Sequence, residues 1–536
     1  MTNWKNIRDA AHAAGDGWGY WLADKNMEPI STLSGMQSIT LPEAVNATTV
    51  CKVELLGDHP AVSLLLPFDG LDPDDPGMTW HHLVDDAQWI IAEGPGGHKE
   101  RLVYRVARLV DKVEDKGPGL VAVESKSLYR YVEKIACRAD PNAPLIAQLR
   151  YRDFRAGDSL RVMKEYLLVN LMRDFQPRAV TGWDLWSAKS WAKLNPDLWP
   201  AIVNPIHQST TTVHTVLDAR FDHASELFAD TLGAAGLMLT VDLWLEGDPQ
   251  PFPDHVTLRK PTFVIDIVPR QFDTSTTGTA LDLLRGLVRS FDRENNAPVI
   301  GLGDTPATAA GRLPWVVWRP EDMGGISSDF TVVKSEDWHA TVGGRSPEVI
   351  NKLIGAGSKS IFQGIAAALA AVYPVFAPLI VAAGAFLGDV IGASMQDKLM
   401  AWQEFSHAVR KEAHGRFAYR DQVGSGDGWT LSAWQQGFSM LQQGAGMISV
   451  GFTVDDQSIY RWGRDYRAGD QQGLVHRGVV FATYVAETTR TWTVGAGESF
   501  SVTLGDPRAI ESWARAYGRS IKSIKNKADR LSTFIH

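Results

Sequence analysis

From Asn46 onward the chain repeats short runs in which apolar and polar positions alternate, each closed by Gly, Pro or Asp. TTVCKVELL (48–56), AVSLLLPF (61–68), WIIAEG (89–94) and RLVYRVARLV (101–110) carry this pattern around the turn Gly94-Pro95-Gly96-Gly97, and it predicts strands. GLVAVESKSLYRYVEKIAC (119–137) reads as a strand running into a helix. The spacing then changes. Leu160, Met163, Leu167, Leu171 and Phe175 form one stripe, which predicts an amphipathic helix over 158–175, stopped by Gln176-Pro177. A Trp-rich connector follows, with Trp183, Trp186, Trp191 and Trp199. Helix, strand, strand and helix come next in ASELFADTLGAAG (224–236), LMLTVDLWLEGD (237–248), PTFVIDIVPRQ (261–271) and TALDLLRGLVRSFDRE (279–294). KLMAWQEFSHAVRKEA (398–413) predicts a further helix ending at Gly415, and strands return between 451 and 504. DFRAGD (153–158) and DYRAGD (465–470) echo each other, the first opening a helix and the second a strand. The first forty residues are small and polar but carry Trp4, Trp18 and Trp21, as a docking arm would.

Between Ser360 and Gly388 no side chain is charged. Surface of that kind must be buried in a core, a partner or a bilayer. A straight helix over the run would be roughly 43 Å, longer than the ~30 Å of a hydrocarbon core. Pro374 and Pro378 forbid it, since each removes a backbone donor and clashes one turn back. The run instead predicts a hairpin of two short helices, 362–373 and 379–391, with Phe362, Leu369, Tyr373, Phe376, Leu379 and Ile380 as apolar bulk. Gly384, Gly388 and Gly392 recur every fourth residue and let helix backbones approach closely. Neither half is long enough to span a bilayer, and Asp389 beside the glycines would be costly in lipid. The expectation is a hairpin buried in an oligomer, with release into a host membrane during function as the alternative.

A second periodic segment closes the chain. Asp506-Pro507 supplies an N-cap and a proline in the first helical turn. Ile510, Tyr517, Ile524 and Leu531 then occupy one core position of a heptad, and Ala514, Ile521, Ala528 and Ile535 the other. Ile at both kinds of site leans toward a three-stranded coiled coil. Hairpin and seam together describe a subunit that assembles with copies of itself.

At 536 residues the chain is too long for one core, and three or four domains are expected. Hydrophobic content of 44% and charged content of 21% exclude wholesale disorder. A net charge of −9 argues against a nucleic-acid binder, and the basic residues after Arg508 read as the solvated flank of the heptad helix. Cys51 and Cys137 are the two cysteines, too few for a disulfide scaffold or a Cys-based zinc site, so buried reduced thiols and folding in a cytoplasm are expected. The N-terminus has no apolar segment of the secretory type.

Candidate chemistry thins out on inspection. GAGSKS (355–360) has Ser358 where a phosphate loop needs Gly before Lys, and Leu353 where it needs its first Gly. DPDDPG (72–77) places Pro76 at a calcium-ligand position and Leu83 where the bidentate Glu belongs. His81-His82 and the pair His407/His414 form no HExxH, and there is no GxSxG. The expectation is therefore no enzyme activity, no cofactor, no metal and no catalytic residue. The 19 tryptophans suit either sugar stacking or core and interface anchoring. Trp244, Trp315, Trp318 and Trp402 sit on strand or helix stripes, which favours the second use.

SELFADTLGAAGLMLTVDLWLEGDPQPF (225–252), followed by PTFVIDIVPR and GTALDLLRGLVR, resembles the minor tail proteins of siphoviruses infecting mycobacteria and related actinobacteria. GLVAVESKSLYRYVEKIACRADPNAP and the apolar block look like the same group. The resemblance implies a baseplate hub in the virion, made in the host cytoplasm. It would be a homotrimer whose paired β-barrel modules imitate six-fold symmetry, joining a distal tail ring to the tip and closing the tube until infection. Implied partners are its own copies, the distal tail protein, the tape measure and other minor tail proteins, with host membrane or cell-wall glycan as further contacts. A cell-wall-degrading or glycan-binding tail-tip protein is the alternative, and a pore-forming toxin a more distant one. The expected fold is α+β and multidomain, with two β-barrel or sandwich modules, a mixed α/β middle, an apolar helical hairpin and a C-terminal coiled-coil helix. The expected boundaries are a docking arm over 1–40, an N-terminal β-rich hub module over 41–177 and a central α+β domain over 178–345. Hairpin and amphipathic helix then cover 346–420, a second β-rich module 421–506 and the coiled-coil helix 507–536.

Overall fold

A computed structural model describes residues 17–68, 83–112, 117–175, 187–191, 195–205, 214–234, 236–269, 289–292, 297–299, 316–318, 328–345, 402–427, 446–455, 466–476 and 479–505, with single positions between 437 and 463. The apolar hairpin and the coiled-coil seam lie outside these residues. The chain forms two compact units, Met1–Phe330 with Ser449–Pro507, and Thr331–Ile448 with Arg508–His536.

The larger unit opens with strands β1 (Gly19–Ala23), β2 (Pro29–Thr32), β3 (Ser38–Ala44), β4 (Val50–Leu56), β5 (Trp89–Glu93), β6 (Arg101–Lys112) and β7 (Leu120–Ser127). Its middle holds β8 (Asp153–Asp158), helix α1 (Ser159–Phe175), β9 (Ala201–Val203), β10 (His214–Ala219), helix α2 (Ala224–Ala234), β11 (Leu237–Trp244) and β12 (Thr262–Pro269). The smaller unit contains β13 (Asp337–Arg345), β14 (Trp402–Ser406), helix α3 (Ala408–His414) and β15 (Tyr419–Asp427), in the order β14-β13-β15. The chain then returns to the larger unit with β16 (Met447–Asp455), β17 (Gln471–His476), β18 (Val479–Thr493) and β19 (Gly497–Gly505).

One long sheet runs β16-β19-β18-β3-β4-β7-β6-β5-β1-β2. The N-terminal and C-terminal β-rich regions, expected as two modules, are thus joined by an antiparallel ladder from Ser38↔Thr493 to Ala44↔Glu487. No pairing among the described residues joins β2 back to the other end, so the path is not closed into a barrel. The runs GYWLA and WIIAE are almost wholly apolar because both faces of β1 and β5 are covered. Trp21, Ala23, Ile91 and Val103 point into one core. Tyr20, Leu22, Ile90, Ala92, Leu102 and Tyr104 point into the other. Trp18 and Trp21, expected on a docking arm, are core residues with 7% and 0% exposure.

The first core is organised by α1. Asp158 caps it, its Oδ1 accepting from Arg161 N at 3.1 Å, and the expected stripe Leu160, Met163, Leu167 and Leu171 is buried. Val162, Tyr166, Leu168 and Met172 are buried too, so the helix is packed nearly all round. It lies among β8, β9, β10 and β12, and the Tyr166 ring meets Phe228 of α2 at 6.2 Å. Strand β12 pairs in parallel with β9 and antiparallel with β11.

Three expected elements change type. AVSLLLPF forms the helix Pro60–Leu65, because His59 Nδ1 accepts from Ala61 N at 3.1 Å and Pro60 presets the first turn. The long helix expected over 398–413 is split: Trp402–Ser406 pairs with β13, and His407 caps the shorter α3, accepting from Arg410 N. Arg289–Asp292, expected at a helix end, instead pairs with Ala297–Val299 and with β18. Two motifs also resolve differently from their shared sequence. DFRAGD is a complete strand, whereas in DYRAGD Asp470 Oδ2 accepts from Arg467 N to close a turn before β17.

Cys51 and Cys137 are both fully buried, and burial pushes both thiols well above the ordinary cysteine range. We expect neither to react with Ellman's reagent in the native protein at pH 8. Both should react promptly in 6 M guanidinium, where absorbance at 412 nm counts them.

Candidate functional site

A cleft of about 710 Å³ opens in the larger unit. Its walls are the end of β3 with Pro42, Glu43 and Ala44, the start of β6 from Arg101 to Tyr104, strand β11, and the turn from Gly463 to Asp470. Strand β11 is the edge of its sheet. Its partner β12 directs Phe263 N to Pro200 O and Ile265 O to Asn204 N, toward β9. By the antiparallel pattern, the facing residues Val241 and Leu243 turn their own N–H and C=O outward. An open edge would recruit another strand, and side chains cover this one. Asn46, held at φ 54°, donates to Leu237 O at 3.0 Å and accepts from Leu239 N at 2.8 Å. Arg101 Nη1 donates to Leu243 O at 2.7 Å. Val241, between these caps, faces the cleft.

Arg101 is the electrostatic centre of this wall. Its Nη1 lies 2.6 Å from Asp248 Oδ2 and its Nη2 2.7 Å from Glu93 Oε2, with side-chain exposures of 2%, 3% and 1%. Asp248 also accepts from Leu245 N at 2.8 Å, tightening the turn after β11. Two carboxylates and a carbonyl thus saturate one guanidinium and hold its pKa above the ordinary arginine value despite the opposing effect of burial.

Across the cleft, Arg467 reaches Glu43 at 2.7 Å, donates to Lys99 O at 2.8 Å and lies 5.5 Å from the Trp462 ring centre. Glu43 accepts from Trp462 Nε1 at 3.2 Å as well. Gly463, at φ +83°, is required there, since a Cβ would strike the Glu100 side chain. Behind this turn Trp18 stacks on Trp462 at 5.6 Å, and the Arg490 guanidinium sits 4.1 Å over Trp18 while bonded to Tyr20 and Glu498. Burial pushes the Asp470 and Glu487 carboxyls up, Asp470 against the downward pull of the Arg467 amide and charge. The arrangement is a set of guanidinium–carboxylate clamps that fix three segments to one another.

The sequence-predicted residues Ile510 to Ile535 and Phe362 to Gly392 lie outside the described residues, so none is placed in this cleft. The cleft's own residues, Glu43, Arg101, Asp248 and Arg467, were not singled out by sequence reasoning. The DYRAGD echo did contain Arg467 and Asp470. Among the described residues no group of three or more His, Cys, Asp or Glu could hold a metal ion, and no helix is long and apolar enough to cross a membrane.

Replacing Arg101 by Leu strands Glu93 and Asp248 in the interior, and should lower stability by about 3–5 kcal/mol in urea titration of the full chain. Glu487→Gln should act in the opposite direction. A carboxyl whose folded pKa is raised binds its proton more tightly in the folded state, so stability falls as pH rises from the ordinary value of 4.5 through the raised one. Glu487→Gln removes that loss, so the variant should be more stable than the parent at pH 7, with the difference vanishing below pH 4.5.

A family model described as Siphovirus ReqiPepy6 Gp37-like protein matches residues 20–506. No curated protein matches the chain. Among solved structures, the chain is similar to the 43 kDa tail protein of prophage MuSo2 from Shewanella oneidensis, at 11% identity and TM-score 0.42, covering 92% of this chain and 100% of that one. A tail protein from Neisseria meningitidis is similar at 8% identity and TM-score 0.39, with 91% and 97% covered. Prophage tail protein gp18 from Listeria monocytogenes is similar at 9% identity and TM-score 0.37, with 95% and 99% covered.

Proposed function

We propose a structural role in the phage tail for this chain, which belongs to the Siphovirus ReqiPepy6 Gp37-like family. The observation that carries the reading is the extent of the match. It covers residues 20–506 and so reaches into both units, as expected for a family that shares one folded body. The residue-level resemblance of 225–252 to siphovirus minor tail proteins supports the same role. So does a cleft whose charged groups are spent on one another, as suits a part that must stay rigid under load.

In the finer form of this reading, the chain is a homotrimeric hub at the tail tip, without enzymatic activity and without a cofactor. The heptad residues Ile510, Ala514, Tyr517, Ile521, Ile524, Ala528, Leu531 and Ile535 join three copies along one axis. The uncharged run from Ser360 to Gly388 gathers about that axis, where three hairpins keep one another dry and close the channel. Opening of the tip during genome delivery exposes them to the host membrane.

The mass of the purified full chain tests the assembly. The expected value is three times 58.9 kDa, and truncation after Asp506 should convert the sample to a monomer lighter than 58.9 kDa by the mass of the removed residues 507–536. A parent protein that is monomeric at micromolar concentration overturns the trimeric hub. Gold-labelled antibody against the chain should mark the tail tip of intact virions, and labelling confined to the capsid overturns the tail role.

A further inference from the structure

The clamps in the cleft spend Glu43, Arg101, Asp248 and Arg467 on one another and leave one acid over. Asp242 lies on β11 and lines the cleft. Its cross-strand partner is Val264, and its side chain stands on the sheet face opposite Leu239 and Leu243, which enter the first core. Among the described residues no hydrogen bond or ion pair reaches its carboxylate. The cations whose charge it feels are Arg467 and Arg101, and other carboxylates already hold both. Asp242 is open to the solvent in the cleft, yet the walls displace enough water to push its carboxyl above the ordinary range. Glu43 pushes the same way, and Arg467 pulls against both.

Backbone groups beside this acid are unanswered too. Asn46 caps Leu237 and Leu239, and Arg101 caps Leu243. Between them, the outward N–H and C=O of Val241 meet no described group. The caps refuse a strand running the length of β11 and leave one residue's worth of ladder. A residue placed opposite Val241 exchanges both of its own backbone bonds with it, and its chain neighbour then stands beside Asp242. The cleft, at about 710 Å³, has the size of pockets that enclose a ligand. What the neighbour carries follows from the same edge. Two positions along, one guanidinium nitrogen of Arg101 donates to Leu243 O and to the Asp248 carboxylate. A guanidinium on Asp242 repeats that arrangement, whereas an acidic or apolar group leaves the acid unanswered.

We propose that the cleft receives a short extended segment of another protein, one residue of which pairs with Val241 while its neighbour's guanidinium meets Asp242. Main-chain bonds supply the affinity, and the arginine–carboxylate pair supplies the selection. The site lies wholly within the larger unit, so it stands whether or not copies assemble through the heptad helix.

Fluorescence anisotropy tests it with the full-length protein and a labelled pentapeptide of threonine and valine carrying a central arginine. Saturable binding is expected, with Kd below about 1 mM. Central citrulline keeps the shape without the charge and should weaken binding about tenfold. Asp242→Asn should weaken the arginine peptide by the same factor and leave the citrulline peptide unchanged, with circular dichroism and melting temperature confirming its fold. Methylating the amide nitrogens on both sides of the arginine should abolish binding. The citrulline comparison uses the parent protein alone, so it decides independently of how the variant folds. An arginine peptide that fails to bind, or that binds no better than its citrulline twin, overturns the proposal. Equal binding to parent and Asp242→Asn does the same. Spermidine that displaces the peptide at equal concentration assigns the cleft to a free polyamine and overturns it as well.

Discussion

The structure depends on one ladder, the pairing of β3 with β18. It joins residues 38–44 to residues 487–493 and makes a single sheet of strands from opposite ends of the chain. Two contacts between the same ends, one half-buried and one buried, reinforce it. Arg467 is held by Glu43, and Arg490 by Tyr20 together with its sequence neighbour Glu498. The long middle of the chain, including the smaller unit, is therefore an excursion between two strands that lie side by side. Such closure costs loop entropy that rises only slowly with loop length, so a long insertion is tolerated once the ladder is made.

The buried charges make sense within that frame. An arginine taken out of water is tolerable only when its donors find acceptors; those of Arg101 are saturated, and Arg490 donates to Glu498 and Tyr20. Each forces a particular relative placement of the segments it joins, where apolar packing would accept several. Asn46 and Arg101 also occupy the open edge of β11, so the fold gives up a place where a stray strand could add. For a part of a tail that must keep its shape, uniqueness of arrangement serves better than chemical reactivity.

Much of the fold was legible where period and capping agreed. The helix over 159–175 was readable because its stripe and its Asp158 cap point the same way, and β4, β11, β12 and β19 because their alternation is clean. AVSLLLPF was not, since a short apolar run fits either state and a His59 side chain decides it. Residues 398–413 read as one helix until pairing with β13 claimed Trp402–Ser406. The cleft was the least legible part. Arg101 meets Leu243 and Asp248 across 142 and 147 positions, and Arg467 meets Glu43 across 424, distances over which no local pattern carries information. Trp18 was misread for the same reason, since its neighbour is Trp462.

The same long-range seam has a consequence for how the protein is made. On a ribosome β3 emerges early and β18 only near the end, so at roughly 5–20 residues per second the nascent sheet waits tens of seconds for its neighbour. Throughout synthesis the outer margin of β3 is a bare row of amides and carbonyls inside a crowded cell. Glu43 puts a charge on that margin, and so guards the unfinished polypeptide before its clamp on Arg467 serves the finished one.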